Sequence, residues 1–294
     1  MAIALLTIAI VLLTGAAAPE LIRVRDFSWY ERWVRWLDAR LSPNGFWHGG
    51  WGIAMILLVP VLLLAALAVL LNQYVYGIFG FALGLLVLHY CLGPRDLGED
   101  LTELAHAHTR AARDAAAQAF GVPPEANLTT AELIEPVFAA ALKRLYAPVF
   151  WFVAFGAAGV LLYRLTQLLA DARELREALP APLIAAAQHF ESALAWMPAQ
   201  LMSMALALAS DFDAVARAWR DHHDVHGRGL LDLNLGFLTT TAKACMDLDD
   251  VDETDDPATP PDNAPLLHAQ QLIGRITVAW LAALALIVLA AFLA

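Results

Sequence analysis

Two stretches of the chain carry residue types that could grip an anion. In the first, Glu99, Glu103, His106, Arg110 and Arg113 recur at spacings of four, three, four and three, which places them on one face of a single helix. Arg110 and Arg113 would donate to a phosphate or carboxylate, with Glu103 and His106 beside them. Arg95 and Asp96, in the Gly93-Pro94 break just ahead, extend this candidate ligand set. The bland alternative is a solvated, ion-paired face. Glu103 and His106 also match half of a di-iron bundle motif, which needs a second Glu-x-x-His pair; the chain has none, so no metal site is expected there.

The second stretch is Glu132 through Asp213. Arg164 and Gln167, next to Tyr163, interrupt an apolar helix, and a polar group at that depth faces protein or a water-filled cavity. Further on, Glu191 and Gln200 flank Ala195-Trp196-Met197-Pro198. A proline in mid-segment frees a backbone carbonyl, and such broken helices are tolerated in a membrane only where they line a cavity or pack in protein. The reading is that these two irregular helices face each other and that Tyr163, Arg164, Glu191, Trp196 and Gln200 line a ligand site. Plain helix packing with snorkelling ends is the competing reading.

Other clusters carry less. Asp221, His222, His223, Asp224 and His226 could hold zinc or nickel, but such density in a polar stretch also describes a hydrated or pH-responsive loop. The acidic run from Asp247 to Asp256 lacks the glycine and the closing glutamate of a calcium loop. Neither a metal nor any other cofactor is predicted.

The elements that must position these residues follow from composition. The chain is 60% hydrophobic and 16% charged, against about a quarter charged in an average soluble domain, so a bilayer must supply part of the solvent. Four apolar runs are long enough to cross: Gly52–Leu71, Tyr74–Leu92, Val149–Tyr163 with its flanks, and Ile276–Ala294. Two weaker runs are Ala2–Ala18 and Ala193–Ala209. No Lys or Arg precedes the first, as a secretory signal would require, so it is read as a retained helix. No alternating β-pattern and no internal repeat are present. The predicted fold is an all-α, polytopic helical membrane protein with about four to six membrane helices plus amphipathic interfacial and cytoplasmic helices.

The predicted order is a first membrane helix (1–18), an interfacial amphipathic helix (19–50), a membrane hairpin (51–92) and a cytoplasmic helical segment (93–144). A membrane or re-entrant pair (145–210), a cytoplasmic loop with an acidic disordered tether (211–275) and a C-terminal membrane helix (276–294) follow. In the interfacial segment, Trp29, Trp33, Trp36 and Trp47 with five arginines suit the headgroup level, as an anchor or as a lipid-binding face. Lys and Arg cluster in 19–50, 93–144 and 210–275 and are absent from the Asn72-Gln73 turn, which puts the long loops in the cytoplasm. Cys91 and Cys245 then meet a reducing compartment. A net charge of −11 excludes a nucleic-acid partner.

Four strings give a more specific indication: Leu92-Gly93-Pro94-Arg95-Asp96-Leu97, Tyr146-Ala147-Pro148-Val149-Phe150-Trp151-Phe152, Gly159-Val160-Leu161-Leu162-Tyr163-Arg164-Leu165 and Trp196-Met197-Pro198-Ala199-Gln200-Leu201, followed by Asp211-Phe212-Asp213. In order and spacing, over roughly 20–220, they resemble the AmpE family. That inner-membrane family is tied to β-lactamase induction and is similar to the CobD/CbiB adenosylcobinamide-phosphate synthases. The resemblance implies a regulatory or sensing protein of the bacterial inner membrane, linked to peptidoglycan recycling, rather than an enzyme. Its implied partners are the lipid bilayer, a small anionic ligand such as a cell-wall fragment or nucleotide, and a membrane or cytoplasmic protein. The alternative it implies is a cobinamide-phosphate-synthase-like ligase, joining an amino alcohol to a carboxylate at nucleotide expense. The family commonly has Asp before the Trp-x-Pro string and Arg two residues after its Pro, where this chain has Ala195 and Gln200. The synthase branch carries Glu-x-x-x-Glu-Asn ahead of its Ala-Pro string, where only Glu132 and Glu135 stand here.

Overall fold

The computed structural model describes residues 6–11, 26–41, 47, 50–73, 78–92, 97–123, 126, 128–226, 235–246 and 263–293. Among them there is no strand; the protein is all-α and polytopic, with four helices long and apolar enough to cross a membrane. The first expected membrane helix, 1–18, lies outside the described residues apart from a helical stretch at 6–11, and so does the acidic run Asp247–Asp256. The chain divides into two compact units, described separately below.

The first unit comprises 1–94, 147–195 and 290–294. Helix α1 (Ser28–Leu41) turns Tyr30, Val34 and Leu37 inward and leaves Trp29, Arg32, Arg35, Trp36 and Arg40 exposed, the amphipathic pattern of an interfacial helix. Helices α2 (Gly50–Gln73) and α3 (Ile78–Cys91) are apolar on every side, as helices bathed in lipid are. Gly84 of α3 brings the α3 backbone close to the ring of Phe152.

Proline 60 sits in the middle of α2 without breaking it. Proline has no N–H, so the carbonyl four residues earlier, that of Ile56, loses its helical partner. The indole Nε1 of Trp33 on α1 donates to that carbonyl at 3.2 Å. The same substitution of donor recurs in the helix Ala181–Ala209. Pro198 lies inside it, the helix continues unbroken, and the carbonyl of Leu194 accepts from the indole Nε1 of Trp151 at 3.0 Å. The broken helix expected at Pro198 is therefore not found. In lipid a freed carbonyl must be re-satisfied by a neighbouring helix, and a tryptophan supplies the bond in both places.

The break occurs instead within the run Val149–Tyr163. In the helix spanning Ala147–Asp171, Gly156 has φ 64° and ψ −149°, a conformation open almost only to glycine. A Cβ built on Gly159 would collide with the carbonyl of Trp151, eight residues earlier. In a straight helix those residues stand about 12 Å apart along the axis. The chain thus folds back at Gly156 into a helical hairpin with arms 147–155 and 157–171.

The second unit comprises 95–146 and 196–289. The single helix expected to carry Glu99 through Arg113 is two helices, α4 (Leu97–Ala105) and α5 (Arg110–Ala117). The Thr109 hydroxyl caps α5 by accepting from the Ala112 N–H, so the chain starts a new helix there. Helix α6 (Thr130–Ala141) opens with a capping box between Thr129 and Glu132 and runs into a π-helical turn, Leu142–Tyr146. The stretch expected to be loop after 210 contains α10 (Phe212–His226) and α11 (Gly236–Ala244), which pack together, with α7 to α9 denoting Ala147–Asp171, Arg173–Ala178 and Ala181–Ala209. The last helix, α12 (Ala264–Leu293), begins twelve residues before the expected Ile276. Asn263 and Gln270 anchor its start to α4 and the turn after it, donating to the Ala107 carbonyl at 2.6 Å and to the Thr102 hydroxyl at 2.8 Å.

Candidate functional site

In the first unit the polar residues gather around Arg164, on the second arm of the Gly156 hairpin. The guanidinium is buried, 6% exposed, and its Nη1 donates to the Gln167 Oε1 one turn on at 2.7 Å. Its carbon lies 5.4 Å from the ring centre of Phe27, a cation–π contact that offsets part of the desolvation cost. Phe27 in turn lies against the ring of Tyr90 at the end of α3, 4.4 Å between centres. The Tyr90 hydroxyl donates to the Asp26 carbonyl and accepts from the Trp29 indole at 3.0 Å.

The Asp26 carboxylate accepts from the Ser28 N–H at 2.8 Å and its hydroxyl at 3.0 Å. Those two bonds hold its carboxyl below the ordinary carboxylate range and fix the start of α1 beside the arginine. Glu191 is 5% exposed, a carboxylate withdrawn from water. Tyr163 is fully buried, interacts electrostatically with Glu191, Asp171 and Arg164, and its hydroxyl has no hydrogen-bond partner among the described residues. Leaving a buried hydroxyl unmatched costs about 1–3 kcal/mol.

Chemically, this cluster combines a guanidinium, a carboxylate and a phenol in a dry setting, the set that orients a carboxylate or phosphate and can move one proton. Of the residues picked from sequence, Tyr163, Arg164 and Glu191 belong to this unit. Gln167, Asp26 and Tyr90 complete it and were not picked for the site. Tyr90 and Asp26 lie in a span end and a helix start whose sequence carries no sign of convergence.

The second unit holds the other candidates. Arg113 is buried, but its Nη1 donates to the Thr130 hydroxyl at 2.8 Å and its Nη2 to the Leu128 carbonyl at 3.2 Å. It clamps the approach to α6, a role that the one-face reading did not foresee. Glu103 and His106 are exposed, Arg110 is half-buried, and the break at 106–109 separates the first two from the arginines, so the four do not share a helix. Arg95 and Asp96 lie outside the described residues. Trp196 is half-buried, and the Gln200 Oε1 accepts from the Trp219 indole at 3.1 Å.

The strongest polar contact here involves two residues absent from the sequence-based set. Arg144, in the π-helical turn, meets the fully buried Asp100 carboxylate at 2.7 Å, donates to the Ala119 carbonyl and lies over the Phe120 ring. Lys143-Arg144 within an otherwise apolar run was the available signal. The Tyr146 hydroxyl, two residues on, donates to the Ile273 carbonyl at 2.9 Å.

Of the His-rich cluster, His222 is half-buried with its ring 6.4 Å from that of Phe237. Among the described residues no three His, Cys, Asp or Glu side chains converge on a point that could hold a metal ion.

Compared with known proteins, residues 6–227 match the family model described as CobD/Cbib protein. No curated protein and no solved structure matches the chain. The matched region covers about three quarters of the sequence and contains both the Gly156 hairpin and the Arg164 cluster, and on that extent the chain belongs to the CobD/CbiB protein family.

Proposed function

We propose that the chain is a membrane protein of cobalamin-biosynthesis type that takes a carboxylate-bearing small molecule at the Arg164 cluster and joins it to an amino alcohol, as the CobD/CbiB resemblance implies. The observation that carries this reading is the family match over 6–227, which spans every residue of the cluster. In the proposed assignment Arg164 holds the carboxylate, Gln167 and Phe27 fix the guanidinium plane, Glu191 receives the amine proton, and the Tyr163 hydroxyl donates to the acyl oxygen as the amine displaces the activating phosphate group from the acid. Nucleotide is consumed to activate the acid.

A second reading, regulatory and AmpE-like, is favoured by one feature: positions where the family carries charge are spent on structure. Gln200 is bonded to Trp219, Ala195 is fully buried, and Glu132 is engaged in a helix cap. On this reading the same cluster binds an anionic cell-wall fragment without turning it over.

The test uses the full chain in lipid nanodiscs with a corrinoid carboxylic acid, an amino-alcohol phosphate and nucleotide. Amide product, lost in Arg164→Gln and not restored by Arg164→Lys, supports the ligase, because lysine keeps the charge but not the planar fork. Absence of product, together with complementation of inducible β-lactam resistance that fails in both variants at equal membrane abundance, supports the regulatory reading. Equal behaviour of wild type and both variants in the two assays removes Arg164 from the site.

A further inference from the structure

Apart from Trp29, whose indole N–H is donated to Tyr90, the outer face of α1 is not used by the Arg164 cluster. Its exposed residues fall at helical spacing, Trp29, Arg32, Arg35, Trp36 and Arg40, so three guanidiniums and two indoles share one side of a fourteen-residue helix. The Arg40 guanidinium lies 4.4 Å from the Trp36 ring centre, and Trp36 stacks on Trp33 at 5.4 Å and 17°. Glu31, 3.5 Å from Arg35, and Asp26, whose carboxylate is attracted by Arg32, are acidic neighbours of this stripe, two carboxylates against three guanidiniums; Asp38 is turned to the Trp47 indole at 2.7 Å. The face therefore carries a positive balance on a chain whose net charge is −11.

The inner side of the same helix fixes its depth. Trp33 donates to the Ile56 carbonyl, six residues into α2 and about 9 Å from that helix's start. Trp47, tied to Asp38, packs its carbonyl close to Gly52 at the beginning of the span. Trp51 at the same level is 75% exposed. Tryptophan rings at the end of an apolar span mark the headgroup layer. Arginines held at that layer face lipid phosphates, which their planar fork grips with two parallel bonds.

We propose that Arg32, Arg35 and Arg40, with Trp29 and Trp36 between them, form a binding site for the phosphate of anionic phospholipid headgroups. Charge complementarity singles out an anionic lipid over a zwitterionic one, and the flanking indoles supply the surface on which the glycerol and upper acyl carbons lie.

The experiment uses the full chain purified in mixed micelles holding equimolar phosphatidylglycerol and phosphatidylcholine, with retained lipids counted by native mass spectrometry. The wild type should keep phosphatidylglycerol in preference, by about fivefold for each engaged arginine, and the preference should shrink at raised salt. Replacing the three arginines with glutamine (R32Q, R35Q, R40Q) should abolish the preference while thermal stability and far-ultraviolet circular dichroism stay unchanged. Trp36→Leu should reduce total retained lipid without changing the ratio of the two. Equal retention of both lipids by the wild type, or an undiminished preference in the triple variant, overturns the proposal.

Discussion

Proline and glycine disturb the membrane helices of this protein in opposite ways. At Pro60 and Pro198 the residue that cannot donate is built into a helix that stays intact, because an indole N–H bonds the carbonyl that the proline leaves free. At Gly156 every residue around the break could donate, yet the helix ends and reverses. The contrast shows what a breaker does in lipid. A missing hydrogen bond is local and can be supplied from outside, whereas a backbone in the glycine-only region redirects everything that follows. The two regions are also linked, since Trp151, the donor that serves Leu194, is carried on the first arm of the hairpin that Gly156 creates.

The harshest way to break this contrast is to fill the gap between the arms. Gly159→Val places two methyls where even a Cβ meets the Trp151 carbonyl, so the hairpin must open, with an expected loss of about 3 kcal/mol or more in thermal or denaturant unfolding in detergent. Near-wild-type stability would show that the arms are not in contact. Gly156→Ala follows, with an expected loss of about 1–3 kcal/mol from the strained backbone alone, since nothing lies within 4 Å of its Cβ.

Trp151→Phe comes next. It keeps an aromatic ring but removes the N–H, leaving the Leu194 carbonyl without its donor, at about 1–2 kcal/mol. Pro198→Ala by itself should be neutral or stabilising. Combined with Trp151→Phe it should recover most of the loss, because alanine returns a backbone N–H to that carbonyl. A double-mutant cycle with no coupling would disprove the exchange of donors. The smallest effect concerns the start of α1, which carries Trp33 to Ile56. Because the Asp26 carboxyl sits below its ordinary range in the fold, its contribution is present above the unfolded-state value and is lost as pH falls through the folded one. Asp26→Asn should therefore cost a little stability at neutral pH and nothing in strong acid, read as convergence of the two unfolding curves.

The sequence reveals the membrane class, the helical fold and the odd polarity of Arg164 directly, because these follow from composition and from a charge inside an apolar run. It points to the wrong breaker for a physical reason. Pro198 announces a lost bond in the sequence, but the Trp151 indole that replaces it is brought close only by tertiary structure. Gly156 looks like one more small residue in Gly156–Gly159. The three-four-three spacing of Glu103, His106, Arg110 and Arg113 would mark one face if the helix were continuous, and the Thr109 cap interrupts it locally. Asp100 and Arg144, far apart in the chain, give no short-range sign that they pair. The strings Tyr146–Phe152 and Trp196–Leu201, by contrast, acquire a shared meaning, since a donor in the first serves a carbonyl freed by the proline of the second.

The fold-back at Gly156 also alters how crossings are counted. By length and hydropathy the stretch Thr130–Asp171 scores as a membrane span. The helical path ahead of the break runs from Thr130 through the π-helical turn to Phe155 and is about 39 Å long, whereas the arm after it, 157–171, is about 22 Å, short of the roughly 30 Å hydrocarbon core. A segment that turns back within the bilayer adds nothing to the parity that decides which compartment each later loop occupies. A topology built by alternating sides at every apolar run inverts all that lies downstream of it. Impermeant labelling of cysteines placed at Gln73 and Ala172 reads that parity directly, with the two positions expected in opposite compartments.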